Sequence, residues 1–241
     1  RGLQLIEVTS EEESKLWNEL MIREHPLQQC RLVGRQLRYL VSSDHGWLGA
    51  IGFGSAALYL ADRDGWIGWT AAQRMEHLPR VLQMNRFLVR PGVHCENLAS
   101  QILGRCARQV PGDVERRYGL RPWLLESFVD GSHYDGACYK AANWTCVGRT
   151  KGRGRNGQRD EGKSRKDIYL YPLVENVGQR MGVEPLPVVA LDAASGLDAL
   201  GWAEQEFGGC DLGDPRRTRR LVKMVGVSAN STSSPSHIKP Q

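Results

Sequence analysis

The sequence has no apolar run approaching the roughly 18 residues that a membrane-spanning helix needs. Its longest, WLGAIGFGSAALYLA, is too short and is broken by glycines, so no membrane partner is expected. There are six cysteines, Cys30, Cys95, Cys106, Cys138, Cys146 and Cys210, but no CxxC pair. Several fall in apolar or helical runs, where a free cysteine acts as a small hydrophobe. That usage predicts a reducing, cytoplasmic compartment and no disulfide framework. The six histidines lack ligand spacing; His94-Cys95 is the only close pair, and no metal site is expected. No internal repeat is visible. The chain starts at Arg1 rather than at a methionine, and nothing downstream points to export.

What the sequence does have is positive charge in two places. The net charge is +5 over 241 residues, a length that suits one large domain or two small ones. Arg149 to Lys166, RTKGRGRNGQRDEGKSRK, carries eight basic and two acidic residues, and its net of +6 exceeds that of the whole chain. A second cluster, Asp214 to Lys223, has a net of +4. Two separated basic clusters raise the expectation of a polyanionic partner, most often nucleic acid. Solvated surface is the plainer reading of each.

Periodicity predicts the elements. Ser10-Glu11-Glu12-Glu13 has capping-box spacing, and Leu16, Trp17, Leu20 and Met21 follow at helical intervals up to Pro26. GRQLRYLV and GWLGAIGFGSAALYL read as strands. A helix from Ala71 to Met84 carries Pro79 inside it, and NRFLVRPGV is a strand ending in a Pro-Gly turn. Asn97 is the expected N-cap of an amphipathic helix to Gln109, and Val114–Tyr118 a second helical segment ending at Gly119. RPWLLESFVD, TCVGRT and DIYLYPL read as strands, with GACYKAANW a short helix between the first two. Alternating helices and strands predict an α/β (α+β) domain over residues 1–173, a mixed sheet with packed helices and at least one parallel pair. Residues 174–196 read as a linker, 197–225 as a short helical stub, and 226–241 as a Ser/Pro-rich disordered tail.

Three resemblances follow from these residues. RFLVRPGVHCENLASQILG, RPWLLESFVDGSHYDGACYKAANWTCVGRTKGRGR and KDIYLYPL, together with RDGWIGWT, resemble the family that includes the A protein of the Druantia anti-phage system, over roughly residues 20–173. That family also occurs beside or fused to insertion-sequence transposases, so the resemblance implies a mobile-element or phage-defence context. More weakly, RFLV, the helix from Asn97, WLLESFVD and GACYKAANW are similar to the acetyltransferase fold that binds coenzyme A. In that fold a glycine-rich turn presents N–H groups to the cofactor pyrophosphate. RPGVHCENLAS has a single glycine without that spacing, and Pro91 removes a donor, so no cofactor is expected.

The third resemblance is at the C-terminus. Trp202-Ala203, Phe207, Leu212-Gly213-Asp214, Arg216-Arg217, Thr218 and Arg220-Leu221-Val222 resemble the start of the N-terminal DNA-binding domain of DDE-class insertion-sequence transposases. In that family the helix pair helps bind transposon ends, which implies Arg216, Arg217, Arg219 and Arg220 as DNA contacts. The residues themselves agree: Asp214 suits an N-cap and Pro215 a first helical turn. Arg216, Arg219, Arg220 and Lys223 share one face, and Thr218, Leu221, Val222 and Val225 the other. The pattern departs from the family after Met224, so a truncated DNA-binding unit without the transposase catalytic domain is expected.

DNA is therefore the expected partner. The nucleic-acid contacts are Arg149, Lys151, Arg153, Arg155, Lys163, Arg165 and Lys166 in the basic loop, with Arg216, Arg217, Arg219, Arg220 and Lys223 beyond it. The alternative is an enzyme on an acetyltransferase-like scaffold. Glu126 interrupts an apolar strand, where burial would raise it towards general-base range. Asp130, His133, Tyr134 and Tyr139 follow closely; Glu126 with His133 would make an acid–base pair and Tyr139 an acid. The competing reading gives Glu126 an arginine partner such as Arg86 and a structural role. Trp66 and Trp69 either pack over the sheet edge or form, with Arg86 and Asn97, the wall of a pocket.

Overall fold

The computed structural model describes residues 2–151 and 165–182, all within one compact unit, Arg1–Pro185; a second unit, Leu186–Gln241, lies outside the described residues. The order is β1 (Gln4–Glu7), α1 (Glu11–Arg23), β2 (Leu37–Ser43), β3 (Gly46–Ser55), α2 (Ala61–Ile67), α3 (Ala71–His77), β4 (Val81–Val89), α4 (Leu98–Tyr118), β5 (Leu124–Asp130), α5 (Ala137–Ala141), β6 (Thr145–Arg149), β7 (Lys166–Pro172) and α6 (Val177–Arg180). The strands form one seven-stranded mixed sheet in the order β1-β2-β3-β4-β5-β7-β6. Only β4 and β5 run parallel, as the α4 crossover between them requires.

Local chemistry starts α1 where the sequence places it. Ser10 Oγ accepts from Glu13 N at 3.2 Å, and the Glu13 carboxylate accepts from Ser10 N at 2.9 Å, a reciprocal capping box. The helix buries Trp17, Leu20 and Met21, and Trp17 Nε1 donates to Ile51 O at 2.9 Å. The indole lies against Gly52, where a Cβ would stand 2.9 Å from the ring. Glycine in the middle of β3 is thus a packing requirement.

The predicted helix over Ala71–Met84 ends early. α3 closes at His77, a single 3₁₀ turn spans Leu78–Arg80 around Pro79, and Val81–Val89 is strand. Proline removes the N–H that the helix needs, and the apolar side chains that follow are drawn into the sheet. The two segments predicted for Asn97–Gln109 and Val114–Tyr118 form one 21-residue helix that runs through Pro111. Ile102, Leu103, Cys106, Val110 and Val114 lie on one buried stripe, and that continuous packing outweighs the one missing backbone bond. Asn97 takes the N-cap place but adopts φ +58° with no side-chain capping bond.

α4 and α5 cover one face of the sheet, where the largest core cluster lies. The other face has two smaller clusters. α1 covers the first with Trp17, Leu20 and Met21; the second gathers Ile67, Trp69, Val81, Leu124, Ile168, Leu170, Val177 and Met181. The last two residues belong to and follow α6, so the folded unit continues past Leu173. The parallel pairing of β4 with β5 covers only Val81–Met84 against Leu124–Ser127. Beyond it β4 pairs only with β3 and β5 only with β7, which leaves a fork between the two parallel strands.

Candidate functional site

The polar position inside β5 is the first candidate. Glu126 is fully buried, and so is the side chain that faces it, Arg63 of α2. Arg63 Nη1 donates to Glu126 Oε2 at 3.0 Å, and Ala57 N donates to Glu126 Oε1 at 3.3 Å. Arg63 also binds Asp64 Oδ1 through Nε and Nη2 at 2.9 and 2.8 Å, and Ala57 O through Nη1 at 2.9 Å. Arg74 of α3 extends the network to Asp64 Oδ2 at 3.3 Å, and the Arg63 guanidinium lies 5.6 Å from the centre of the Trp69 ring. Burial raises the Glu126 carboxyl, and the Arg63 charge opposes that rise.

The arginine partner is Arg63 and not Arg86. Arg86 donates to three backbone carbonyls, Gln29 O at 2.9 Å, Asn85 O at 2.8 Å and Arg31 O at 3.1 Å, and so ties the segment before β2 onto β4. Nothing in RDGWIGWT marks Arg63 as buried. In the structure Gly68 is the left-handed C-cap of α2, at φ +84°.

The other candidate acid–base residues do not converge on Glu126. Successive side chains on a strand point to opposite faces. Ser127, next along β5, reaches the α4 side, where its Oγ lies 2.9 Å from Tyr139 Oη. Tyr139 therefore sits across the sheet from Glu126. Its phenol also reaches Met84 Sδ at 3.9 Å and meets the Phe87 ring edge-on, which fills the fork between β4 and β5 from that side. Burial raises its hydroxyl far above the usual phenol range.

Asp130, Ser132 and His133 meet in an exposed turn. Ser132 Oγ donates to Asp130 Oδ1 at 2.6 Å and lies 2.8 Å from His133 Nδ1. The serine stands between the acid and the imidazole, which is not the order in which a histidine activates a serine. Tyr134 beside it is largely exposed.

The four suggested pocket residues go separate ways. Trp69 is buried in the core cluster of α2 and α6, while Trp66 on α2 is exposed. Arg86 ties the segment before β2, and Asn97 starts α4. Among the described residues no group of three His, Cys, Asp or Glu side chains is arranged to hold a metal ion, and Cys30, Cys95, Cys106, Cys138 and Cys146 are free thiols.

The basic loop leaves the sheet from a closed ribbon. Thr150 N donates to Lys166 O at 2.8 Å, and Lys166 N to Thr150 Oγ1 at 2.9 Å. Arg149 is held at the root: its Nε bonds Asp167 Oδ1 at 2.5 Å and its backbone N bonds Asp62 Oδ2 at 2.8 Å. Lys151 and Arg165 flank the loop. Arg153, Arg155 and Lys163 lie outside the described residues, as do Arg216, Arg217, Arg219, Arg220 and Lys223. No helix among the described residues is long and apolar enough to cross a membrane.

A seven-stranded mixed sheet with helices packed on both faces defines an α/β protein. The chain belongs to the family described as Druantia protein DruA, whose model matches residues 2–160. A second model, described as Transposase DNA-binding, matches residues 199–236. No curated protein matches the sequence. Among solved structures, the aminoglycoside acetyltransferase AAC(6')-Ib in complex with coenzyme A and kanamycin is similar at 10% identity, with 73% of this chain and 98% of that one covered and a TM-score of 0.46. The spermidine N-acetyltransferase of Vibrio cholerae, in complex with CoA and spermine, is similar at 9% identity, 70% and 79% coverage and a TM-score of 0.41. An N-acetyltransferase from Staphylococcus aureus is similar at 14% identity, 69% and 79% coverage and a TM-score of 0.39. The likeness to all three is confined to the fold.

Proposed function

We propose that this protein is a DNA-binding component of a mobile genetic element or an anti-phage defence locus, and that it acts by contact with DNA rather than by a reaction of its own. The observation that carries this reading is the pairing, on one chain, of a DruA match with a Transposase DNA-binding match. Phosphate contacts come from Lys151, Arg153, Arg155, Lys163 and Arg165 in the loop, and from Arg216, Arg217, Arg219, Arg220 and Lys223 beyond it. Arg149 and Lys166 shape the root of that loop. An enzyme with Glu126 as general base has less support, because both oxygens of that carboxylate are engaged and Tyr139 lies on the opposite face.

The test is duplex-DNA affinity of the full chain against salt. Each phosphate contact adds about 0.9 to the slope of log affinity on log salt. Replacing Arg216, Arg217, Arg219 and Arg220 by Gln, or the five loop cations by Gln, is expected to flatten that slope and weaken binding. Absence of binding at low salt would sink the reading.

A further inference from the structure

A groove of about 940 Å³ opens at the end of the sheet where β2 turns into β3 and where β4 runs out towards α4. Its floor is apolar, with Leu48 and Leu98 packed on the α4-side core. Its walls are not. Trp47 and His45 come from the β2–β3 hairpin, His94 from the turn after β4, and Arg105 from the second turn of α4. Nothing in the sequence pattern shows that the hairpin with Trp47 and the helix with Arg105 face one another.

The groove is set up for a ligand with both a flat face and negative charge. Trp47 is 37% exposed, in contrast to the buried Trp17, Trp69 and Trp144. Its strand is held in place: Trp47 O accepts from Arg90 Nη1 at 3.4 Å, and Arg90 is clamped by the Glu24 carboxylate at 2.8 Å. Glu24 is the one carboxylate in the lining, and Arg90 neutralises it. The remaining formal charge is that of Arg105, which is exposed and makes no hydrogen bond or ion pair with any described residue. The first turn of α4 carries no acid, and the nearest carboxylate along the chain is Glu96, just before the N-cap Asn97.

We infer that this groove holds a short segment of single-stranded DNA, with an unpaired base stacked on Trp47 and a backbone phosphate on Arg105. This rests on the DNA-binding reading above and adds a place and a strand state to it. An aromatic face beside basic side chains is the recurrent arrangement for single strands, because every unpaired base offers a face that a paired one conceals. The apolar floor takes the sugar and the edge of the base.

The experiment is fluorescence anisotropy of a labelled oligothymidylate of about twenty nucleotides, long enough to span such a site. A duplex of the same length is measured alongside, each against the full chain. Trp47→Ala and Arg105→Glu are expected to weaken the oligothymidylate roughly tenfold or more, since one base stack accounts for that much. Met75→Ala, an exposed apolar side chain on α3, is expected to leave it unchanged. If the full chain binds the oligothymidylate and neither groove variant weakens it, the groove is not its seat, although the DNA reading stands. If neither strand nor duplex binds, the DNA reading falls and the groove assignment with it. If adenosine diphosphate displaces the oligothymidylate at equal affinity, the groove is a mononucleotide site and the strand assignment is overturned.

Discussion

Glu126 and Arg63 meet with no exposed surface on either side chain. Taking both charges out of water is unfavourable, and only their contact, with Asp64 and Ala57 around it, offsets that. Removing Arg63 strands Glu126, whereas removing Glu126 leaves Arg63 its pair with Asp64. Arg63→Met is expected to lower stability by about 3–5 kcal/mol, whereas Arg63→Met combined with Glu126→Leu recovers most of it. Urea unfolding of both variants checks this; an Arg63→Met protein as stable as the parent would mean that the pair is not structural. His25 gives the acid counterpart. Burial, then the charges of Arg86 and Lys166, lower its imidazole from the usual 6.5 to about 4. The folded chain therefore refuses a proton that the unfolded chain accepts between those values. That part of the stability is fully present above about pH 6.5 and is lost as the pH falls towards about 4. His25→Gln keeps an acceptor for Leu27 N and is expected to flatten the dependence of melting temperature on pH across that window.

Among the elements, α5 shows how a short helix is made to stay. Its five residues are too few to persist alone. Tyr139 anchors it, stacked on Tyr169 at 5.0 Å and edge-on to Trp144 at 5.3 Å. Gly136, at its start, has φ +69°, and a Cβ there would stand 2.0 Å from Tyr169 Oη. Gly136→Ala is thus expected to cost about 1–2 kcal/mol from the left-handed backbone alone, and more as Tyr169 is displaced. The aromatic near-UV circular dichroism should change with it, while the far-UV signal stays. GACYKAANW announces this helix, but the ring stack that fixes it joins residues far apart in sequence. The same holds for α2, where nothing in the sequence shows Arg63 to be buried until Ala57 and Glu126 close around it. β1 was equally hidden: four residues pair as an edge strand only because β2 offers them a partner.

At the scale of the whole molecule, a mixed sheet carries a basic loop at one root and a groove with an exposed tryptophan at the end of β4. In the proposed DNA-binding role the cations of residues 151–165 and 216–223 contact phosphates without reading bases, so their removal is expected to act through the salt slope. The groove adds stacking, which depends little on salt, so Trp47→Ala should lower affinity without changing the slope. These two signatures separate the contributions within one titration series.

The sequence by itself determined what is local or repeats with a short period. The capping box of α1, the strand over Leu124–Asp130, the parallel pair implied by alternating helices and strands, the DruA resemblance and the concentrated positive charge belong here. Each depends on residues within a few positions of one another, or on motifs that survive as strings. The tertiary structure alone decided which side chains meet. It set Arg63 rather than Arg86 against Glu126, put Tyr139 on the opposite face, drew α4 unbroken through Pro111, and brought Trp47 and Arg105 to one groove. Those outcomes follow from burial and strand register, and both are fixed only when segments distant along the chain pack together.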